Sequence, residues 1–235
     1  MLSKKIKRFF DEVDVVPEGN GYSVRLDSRS VRTPQGSALL LPTTKLADLI
    51  ATEWAAQEDD INPLSMPLMR LACTAIDKVA PVRDLVIDQL VRYGESDLLC
   101  YRAERPNDLV RLQSETWQPV LDWLSESKSV SLNVTAGIVH ILQPEDALAR
   151  LSFLISEYED FNLSALGELT QLTGSLTLGL ACVEGHIDGA YAFKASQLDD
   201  DWQAEQWGHD YEAIDRRNNL EADINAATQF LESLK

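Results

Sequence analysis

The stretch Gly19-Asn-Gly-Tyr-Ser-Val-Arg-Leu26 decides the fold of the N-terminal part of the chain. Its first three residues are a turn signal, and from Tyr22 onward apolar and polar side chains alternate, as in a half-buried strand. Val31–Thr33 and Leu39–Leu41 are typical of two further short strands, because proline and glycine punctuate the residues between them. The sequence therefore predicts a small antiparallel meander within residues 10–42.

The pattern becomes helical after this meander. Thr43 or Thr44 suits the cap of a helix whose apolar side chains recur every three or four residues. Residues 61–67 hold two prolines and are typical of a linker, and helical stripes follow it. We predict an α+β protein with a small β-rich domain containing one helix at 1–62 and a larger all-helical domain at 63–235.

Two segments of the second part each have the pattern of a single helix: the long, nearly apolar residues 163–183, and residues 189–207, where alanine and aromatic residues recur. Small residues within the first segment permit close helix packing. Pro119 lies within a helical pattern at 109–124 and is expected to kink or split that helix. Residues 130–143 alternate like a strand but also suit an extended connection.

The composition excludes several classes of protein. The chain has 235 residues, 25% charged and 45% hydrophobic, with a formal net charge of −17. Such a charge repels nucleic-acid backbones and anionic membranes, and no apolar run is long enough to cross a bilayer. The three cysteines are widely spaced, which argues against disulfides and a zinc site and suits a reducing compartment.

The sequence contains no motif that predicts catalysis. It lacks a phosphate-binding loop, a dinucleotide-binding turn and an HExxH helix. Glu184-Gly-His-Ile-Asp188 and His209-Asp-Tyr-Glu212 mix groups that bind metals, but neither matches the spacing of a known ligand set. We therefore predict no catalytic residue, no metal and no cofactor, with an enzyme of unrecognised type as an alternative.

The C-terminal part has an acidic surface. Residues 195–235 carry ten acidic and three basic side chains. Asp199-Asp-Asp201 alone is typical of a solvated helix face. Trp202 and Trp207 lie among these acids, and aromatic side chains within an acidic surface favour a protein-binding face. Packing of both tryptophans in the core is the alternative interpretation.

Short sequence blocks throughout the chain occur in a familiar order. They are Arg8-Phe-Phe10, Val24–Pro34, Leu41-Pro-Thr43, Glu53–Gln57, Ile61–Pro67, Tyr93–Arg102, Gln113–Pro119, Thr173-Gly-Ser175, Leu198–Gln203 and Trp207–Arg217. The chain resembles, over about residues 6–232, the family of assembly chaperones for the α subunit of F1-ATPase, found in mitochondria and some bacteria. Each block is weakly specific, whereas the ordered set is strongly so.

The resemblance implies a β-rich N-terminal domain, a helical C-terminal domain and a chaperone function without a cofactor. Such a protein binds the free α subunit and prevents its aggregation before the α/β hexamer forms. One departure is Asp199-Asp200, where the family pattern has Asp-Glu. From the local charge and the density of motifs we expect the client-binding residues to be Asp199, Asp200, Trp202, Gln203, Trp207, Asp210 and Glu212.

Further expectations concern partners and location. We expect a monomer whose partner is the F1 α subunit, with no nucleic acid and no integral membrane segment. The family-like region begins almost at Met1, which favours a bacterial cytoplasmic protein, or a matrix protein if a transit peptide has been removed. An acidic adaptor with another client is the alternative. For Arg216 and Arg217, the alternative to a role in binding is a local pairing with Asp210 and Glu212 on the same helix.

Overall fold

The computed structural model describes residues 6–208 and 211–235, and it describes side chains for 6–208 and 214–235. Strands lie mainly near the N-terminus and helices follow, which confirms the predicted α+β class. The strands are β1 (Ile6–Lys7), β2 (Val13–Glu18), β3 (Gly21–Leu26), β4 (Arg29–Ser30), β5 (Asp60–Ile61), β6 (Tyr101–Arg102) and β7 (Thr135–Ala136). The helices are α1 (Thr44–Ala55), α2 (Pro67–Thr74), α3 (Arg83–Glu95), α4 (Asn107–Lys128), α5 (Glu145–Ser156), α6 (Asp160–Thr173), α7 (Leu176–Val183), α8 (Gly189–Ser196), α9 (Leu198–Trp207) and α10 (Tyr211–Ser233).

An antiparallel meander does lie within residues 10–42, as the sheet β2-β3-β4, but only β3 coincides with a predicted strand. A two-residue loop joins β2 to β3, and Gly19 in that loop has a φ of +60°, which glycine adopts without strain. The return strand predicted at Val31–Thr33 is wrong, because β4 pairs at Arg29–Ser30 instead. Leu39–Leu41 is likewise not a strand, because its described pairing is an isolated bridge between Leu41 and Tyr22.

The chain divides into two compact units. The first consists of Met1–Val82, Asp160–Ser164 and Gln229–Lys235, and the second consists of the remaining residues. In the first unit Thr43 caps α1, as predicted, and its hydroxyl donates to the carbonyl oxygen of Ser233 at 2.6 Å. This unit extends beyond residue 62, and the two-domain boundary there stays a prediction.

The second unit contains a break that the sequence pattern conceals. The single helix predicted at 163–183 is wrong, because α6 ends at Thr173 and α7 begins at Leu176. Gly174 has a φ of +69°, a conformation that commonly ends helices. The Ser175 side chain then accepts a hydrogen bond from the Leu178 amide at 3.0 Å and so caps α7.

A buried carboxylate lies at this break. Asp97 has no solvent exposure, and it precedes the short helical turn Leu98–Cys100. One carboxylate oxygen accepts from the Ser175 hydroxyl at 2.7 Å and the Leu99 amide at 3.0 Å. The other oxygen accepts from the amide and the hydroxyl of Thr177 at 2.8 and 2.9 Å. Asp97 therefore fixes the start of α7 against the end of α3.

The structure also tests the other helices predicted for the second unit. α4 runs without a break through Pro119, so the proline does not split it. The single helix predicted at 189–207 is wrong, because Gln197 separates α8 from α9. Within residues 130–143 the only described strand is β7, which pairs in parallel with β6 inside the region predicted to be all-helical.

The core of the second unit surrounds Trp117. This side chain is 1% exposed, and its Nε1 donates to the carbonyl oxygen of Ala195 at 2.9 Å. Leu178 and Leu198 belong to the same buried cluster. The packing joins α4, α7 and α8 and positions the first residue of α9. Of the helices described for 6–208 and 211–235, none is sufficiently long and apolar to traverse a bilayer.

Candidate functional site

The candidate site is built on α9. Leu198, at the start of this helix, is 4% exposed and anchors it to the core. Helical spacing then places Asp200, Gln203 and Trp207 along one side, because residues three or four positions apart share a face. Trp207 is 76% exposed, which is unusual for the largest side chain in proteins.

A groove of about 550 Å³ lies between α9 and α10. We call it the α9–α10 groove; its lining includes Asp200, Gln203, Trp207, Ile214, Arg217 and Leu220. Asp200 and Gln203 are exposed polar groups, whereas Trp207 and Ile214 supply exposed apolar surface. The groove therefore combines charge, hydrogen-bonding groups and apolar contact area, the mixture found in protein-binding surfaces.

Asp199 faces away from the groove and is held in one orientation. It is partly buried, and its carboxylate accepts a hydrogen bond from Nε2 of Gln113 at 2.7 Å. Gln113 is 1% exposed, and its Oε1 accepts from the Ala103 amide at 2.8 Å. Burial and the neighbouring charge of Asp200 raise the pKa of Asp199, and the hydrogen bond from Gln113 opposes this shift.

The two tryptophans of α9 contact each other. Their rings are 6.0 Å apart between centroids and meet edge to face at 86°. Nε1 of Trp202 donates to a carboxylate oxygen of Asp108 on α4 at 3.2 Å. Trp202 is thereby fixed to α4, and it supports one side of the exposed Trp207.

Arg217 of α10 crosses to α9. Its guanidinium lies 2.9 Å from the carboxylate of Asp201 and 4.4 Å above the centre of the Phe193 ring. The alternative of a pairing with Asp210 or Glu212 stays a prediction, because the side chains of those two acids lie outside the described part of the chain. The Asp201–Arg217 ion pair links the two walls of the groove and offsets one acidic charge there.

The structure brings together the predicted client-binding residues that it describes. Asp199 and Trp202 lie on the α4 side of α9, and Asp200, Gln203 and Trp207 lie on the groove side. Asp210 lies outside the described residues. Glu212 belongs to α10, but its side chain lies outside the described part of the chain. Their role in client binding stays a prediction.

The residues of one candidate metal cluster have separate contacts. Glu184 pairs with Lys128 on α4. His186 stacks on the Trp123 ring with 4.7 Å between centroids. Asp188 caps α8. Among the residues whose side chains are described, no group of three His, Cys, Asp or Glu is arranged to hold a metal ion; His209 of the other cluster lies outside them.

Sequence reasoning missed three contributors to the site. Ile214 and Leu220 line the groove from α10, but they are six residues apart, a spacing that does not mark one helix face in the sequence. Gln113 was quoted only as part of a motif, although it holds Asp199. A buried glutamine amide gives no local pattern, since its partners come from segments 10 and 86 residues away.

Comparison with protein families matches residues 7–125, slightly more than half of the chain, to the family described as ATP12 chaperone protein. The chain belongs to the ATP12 chaperone family. This result confirms the resemblance found in the sequence blocks, and with it the function of an F1-ATPase assembly chaperone. The family match covers the meander and the helices through most of α4.

Relatives extend the likeness to the whole ATP12 fold. The mitochondrial protein atp12 of Schizosaccharomyces pombe is 23% identical over an alignment 231 positions long, gaps included, which covers 91% of this chain and 79% of that protein. The crystal structure of Atp12 from Paracoccus denitrificans has a TM-score of 0.92 at 40% identity, covering 98% of this chain and 99% of the other. An aspartate-to-lysine variant of the Paracoccus protein also has a TM-score of 0.92 and 40% identity, covering 98% of both chains.

Proposed function

We propose that the client of this ATP12-family chaperone is the free α subunit of F1-ATPase, and that the α9–α10 groove binds it. The observation that carries the surface assignment is Trp207, which is 76% exposed beside exposed acidic and amide groups. An aromatic side chain in such a setting gains most when a partner removes it from water.

The binding forces divide between charge and apolar contact. The net charge of −17 attracts basic surface on the client and raises the encounter rate, and Asp200 contributes to this within the groove. Trp207 and Ile214 then slow dissociation by burying apolar surface. Asp199 lies outside the groove, on the α4 side of α9. Because Gln113 already orients it, Asp199 loses little side-chain freedom when the client contacts that side.

Reversible binding explains how a chaperone of this kind works without chemistry. A free α subunit exposes the surface that later contacts β subunits, and exposed apolar interfaces aggregate. A bound chaperone lowers the concentration of that surface, and β displaces it if the interface is modest in area. We propose that the protein acts as a monomer in the bacterial cytoplasm, by binding alone and without a catalytic step.

The first experiment is co-expression with the cognate F1 α subunit, followed by size-exclusion chromatography with light scattering. We expect a one-to-one complex that keeps α soluble and that dissociates when β is added. Asp200→Lys reverses an exposed charge in the groove, and Trp207→Ala removes its exposed aromatic ring. We expect each to reduce the recovered complex by about tenfold, since central aromatic and charged residues dominate interfaces.

Matched control variants show whether a loss of binding is specific to the groove or follows from any change of exposed charge or aromatic surface. Glu126→Lys reverses an exposed charge on α4, and Phe153→Ala removes a 54% exposed ring on α5. Both controls are expected to bind α like the wild type. Equal binding by the groove variants and their controls would refute the surface assignment. An absence of any α complex with the wild type would refute the client and favour an adaptor for another basic protein.

A further inference from the structure

A second exposed apolar feature lies far from α9 in sequence. Residues 134–142, which we call the apolar loop, contain Ile138, Val139 and Leu142 with exposures of 100%, 73% and 79%. Three large aliphatic side chains this exposed within five residues form a patch, unlike the isolated apolar residues that occur on every surface. Such a patch indicates that a partner covers it.

The base of the apolar loop is held firmly. The Asn133 amide donates to Oε1 of the buried Gln143 at 2.7 Å, and Nε2 of Gln143 donates back to the Asn133 carbonyl at 3.0 Å. Further along, the Gly137 amide donates to the Arg102 carbonyl oxygen at 2.8 Å. These bonds hold both ends and the middle of the loop while its aliphatic side chains remain in solvent.

The apolar loop adjoins the start of α9. A concave region of about 620 Å³ is lined by Tyr101, Glu104, Ile138 and Asp199, among others. Beneath it, the buried amide of Gln113 joins the Ala103 backbone to Asp199. The loop and Asp199, the first acidic residue of α9, therefore border one concave surface within the second unit.

We infer that the apolar loop is a second client-binding element, which covers apolar inter-subunit surface on the free α subunit while α9 engages its basic surface. This inference rests on the proposed function. Two other occupants are disfavoured by charge. Two copies of a chain with net charge −17 repel each other, and an anionic bilayer repels the same surface.

The test compares two triple variants in the full-length chain. One carries Ile138→Ser, Val139→Ser and Leu142→Ser. The control carries serine at three exposed apolar positions elsewhere, Leu64, Leu85 and Phe153, whose exposures are 78%, 53% and 54%. After co-expression with α, we expect the loop variant to yield about tenfold less soluble complex than the control.

Circular dichroism and thermal unfolding will show whether both variants fold, and we expect both to do so because every substituted side chain is exposed. Equal complex yields from the loop variant and the control, with normal binding by the wild type, would overturn this inference and leave the proposed function intact. Failure of the wild type to bind α would overturn the proposed function and this inference with it.

A second measurement does not depend on a loss of binding. A photo-reactive benzoylphenylalanine in place of Ile138 is irradiated in the purified complex, and in the free chain with anionic vesicles. A cross-link to α supports the inference. A cross-link to a second copy of the chain, or to lipid, in the absence of one to α assigns the loop to another occupant and overturns it.

Discussion

Replacing Asp97 by alanine removes a carboxylate that accepts four hydrogen bonds inside the second unit. Two donors, the amides of Leu99 and Thr177, are fixed by the backbone and cannot turn toward other acceptors. The other two, the hydroxyls of Ser175 and Thr177, can rotate but are themselves buried. The substitution therefore leaves at least two amide protons without a partner in a site with no solvent exposure.

The expected loss follows from those donors. A buried donor left unsatisfied costs about 1–3 kcal/mol, so two amides and the cavity left by the carboxylate together cost about 3–5 kcal/mol. For a chain of this length such a loss lowers the melting temperature by about 6–20 °C. Asp97→Asn keeps one acceptor but turns an NH₂ group toward the Thr177 amide, and we expect about half the effect.

The assay is urea unfolding at pH 7 followed by tryptophan fluorescence, with thermal unfolding as a second measurement. Asp88→Ala is the control, because Asp88 is an exposed carboxylate on α3 and its loss is expected to change stability by less than about 0.5 kcal/mol. A loss below about 1 kcal/mol in Asp97→Ala would refute the argument that these four bonds hold α7 in place. An equal loss of stability in Asp88→Ala would show that removing a negative charge, and not removing the buried hydrogen bonds, lowers the free energy of unfolding.

Three further predictions concern packing, hydrogen bonding and pH. Gly179→Val would place a Cβ 3.0 Å from Cδ1 of Leu166, so we expect α6 and α7 to separate and stability to fall by about 2–3 kcal/mol in urea unfolding. Trp117→Phe leaves the buried Ala195 carbonyl without its donor and should cost about 2 kcal/mol by the same measurement. Because burial raises the pKa of Asp199, the folded chain holds that proton more tightly than the unfolded chain; the wild type should lose stability relative to Asp199→Asn as the pH rises from about 4 to about 7. A constant difference between these two proteins across that range would contradict the prediction.

The parts of the fold that the sequence predicted are those with local causes. β3 alternates along its length, and Thr43 caps α1 through a hydrogen bond to Leu46 three residues later. α3 and α4 carry long apolar stripes, so their existence followed from spacing. In each case the residues that predict the element belong to the element itself or lie next to it in the sequence.

The failures have a different origin. Gly174-Ser175 contains a helix-ending glycine and a helix-starting serine, but the high apolar content around it hid both signals. Its geometry is completed by Asp97, 78 residues before Ser175 in the chain. The break at Gln197 has neither a glycine nor a side-chain cap, so nothing in the local sequence indicates it.

The candidate site was predicted in part for the same reasons. The acids and tryptophans of α9 are visible as a cluster in the sequence, and helical spacing places them correctly. The second wall of the groove, the Asp201–Arg217 pair and the support from Gln113 depend on how α10 and α4 pack against α9. The apolar loop escaped notice because its residues look like an ordinary buried strand until their exposure is known.

The first unit is assembled from parts of the chain that are far apart in sequence, and this has a consequence for its synthesis. The carbonyl oxygens of Glu232 and Ser233 accept hydrogen bonds from Lys45 and Thr43 at the start of α1, within a unit that includes Gln229–Lys235. A ribosome that has made the whole meander and α1 has therefore not yet supplied the residues that complete their unit. This chaperone itself emerges with its N-terminal unit incomplete, and that unit can finish folding only after residue 235 has been synthesised.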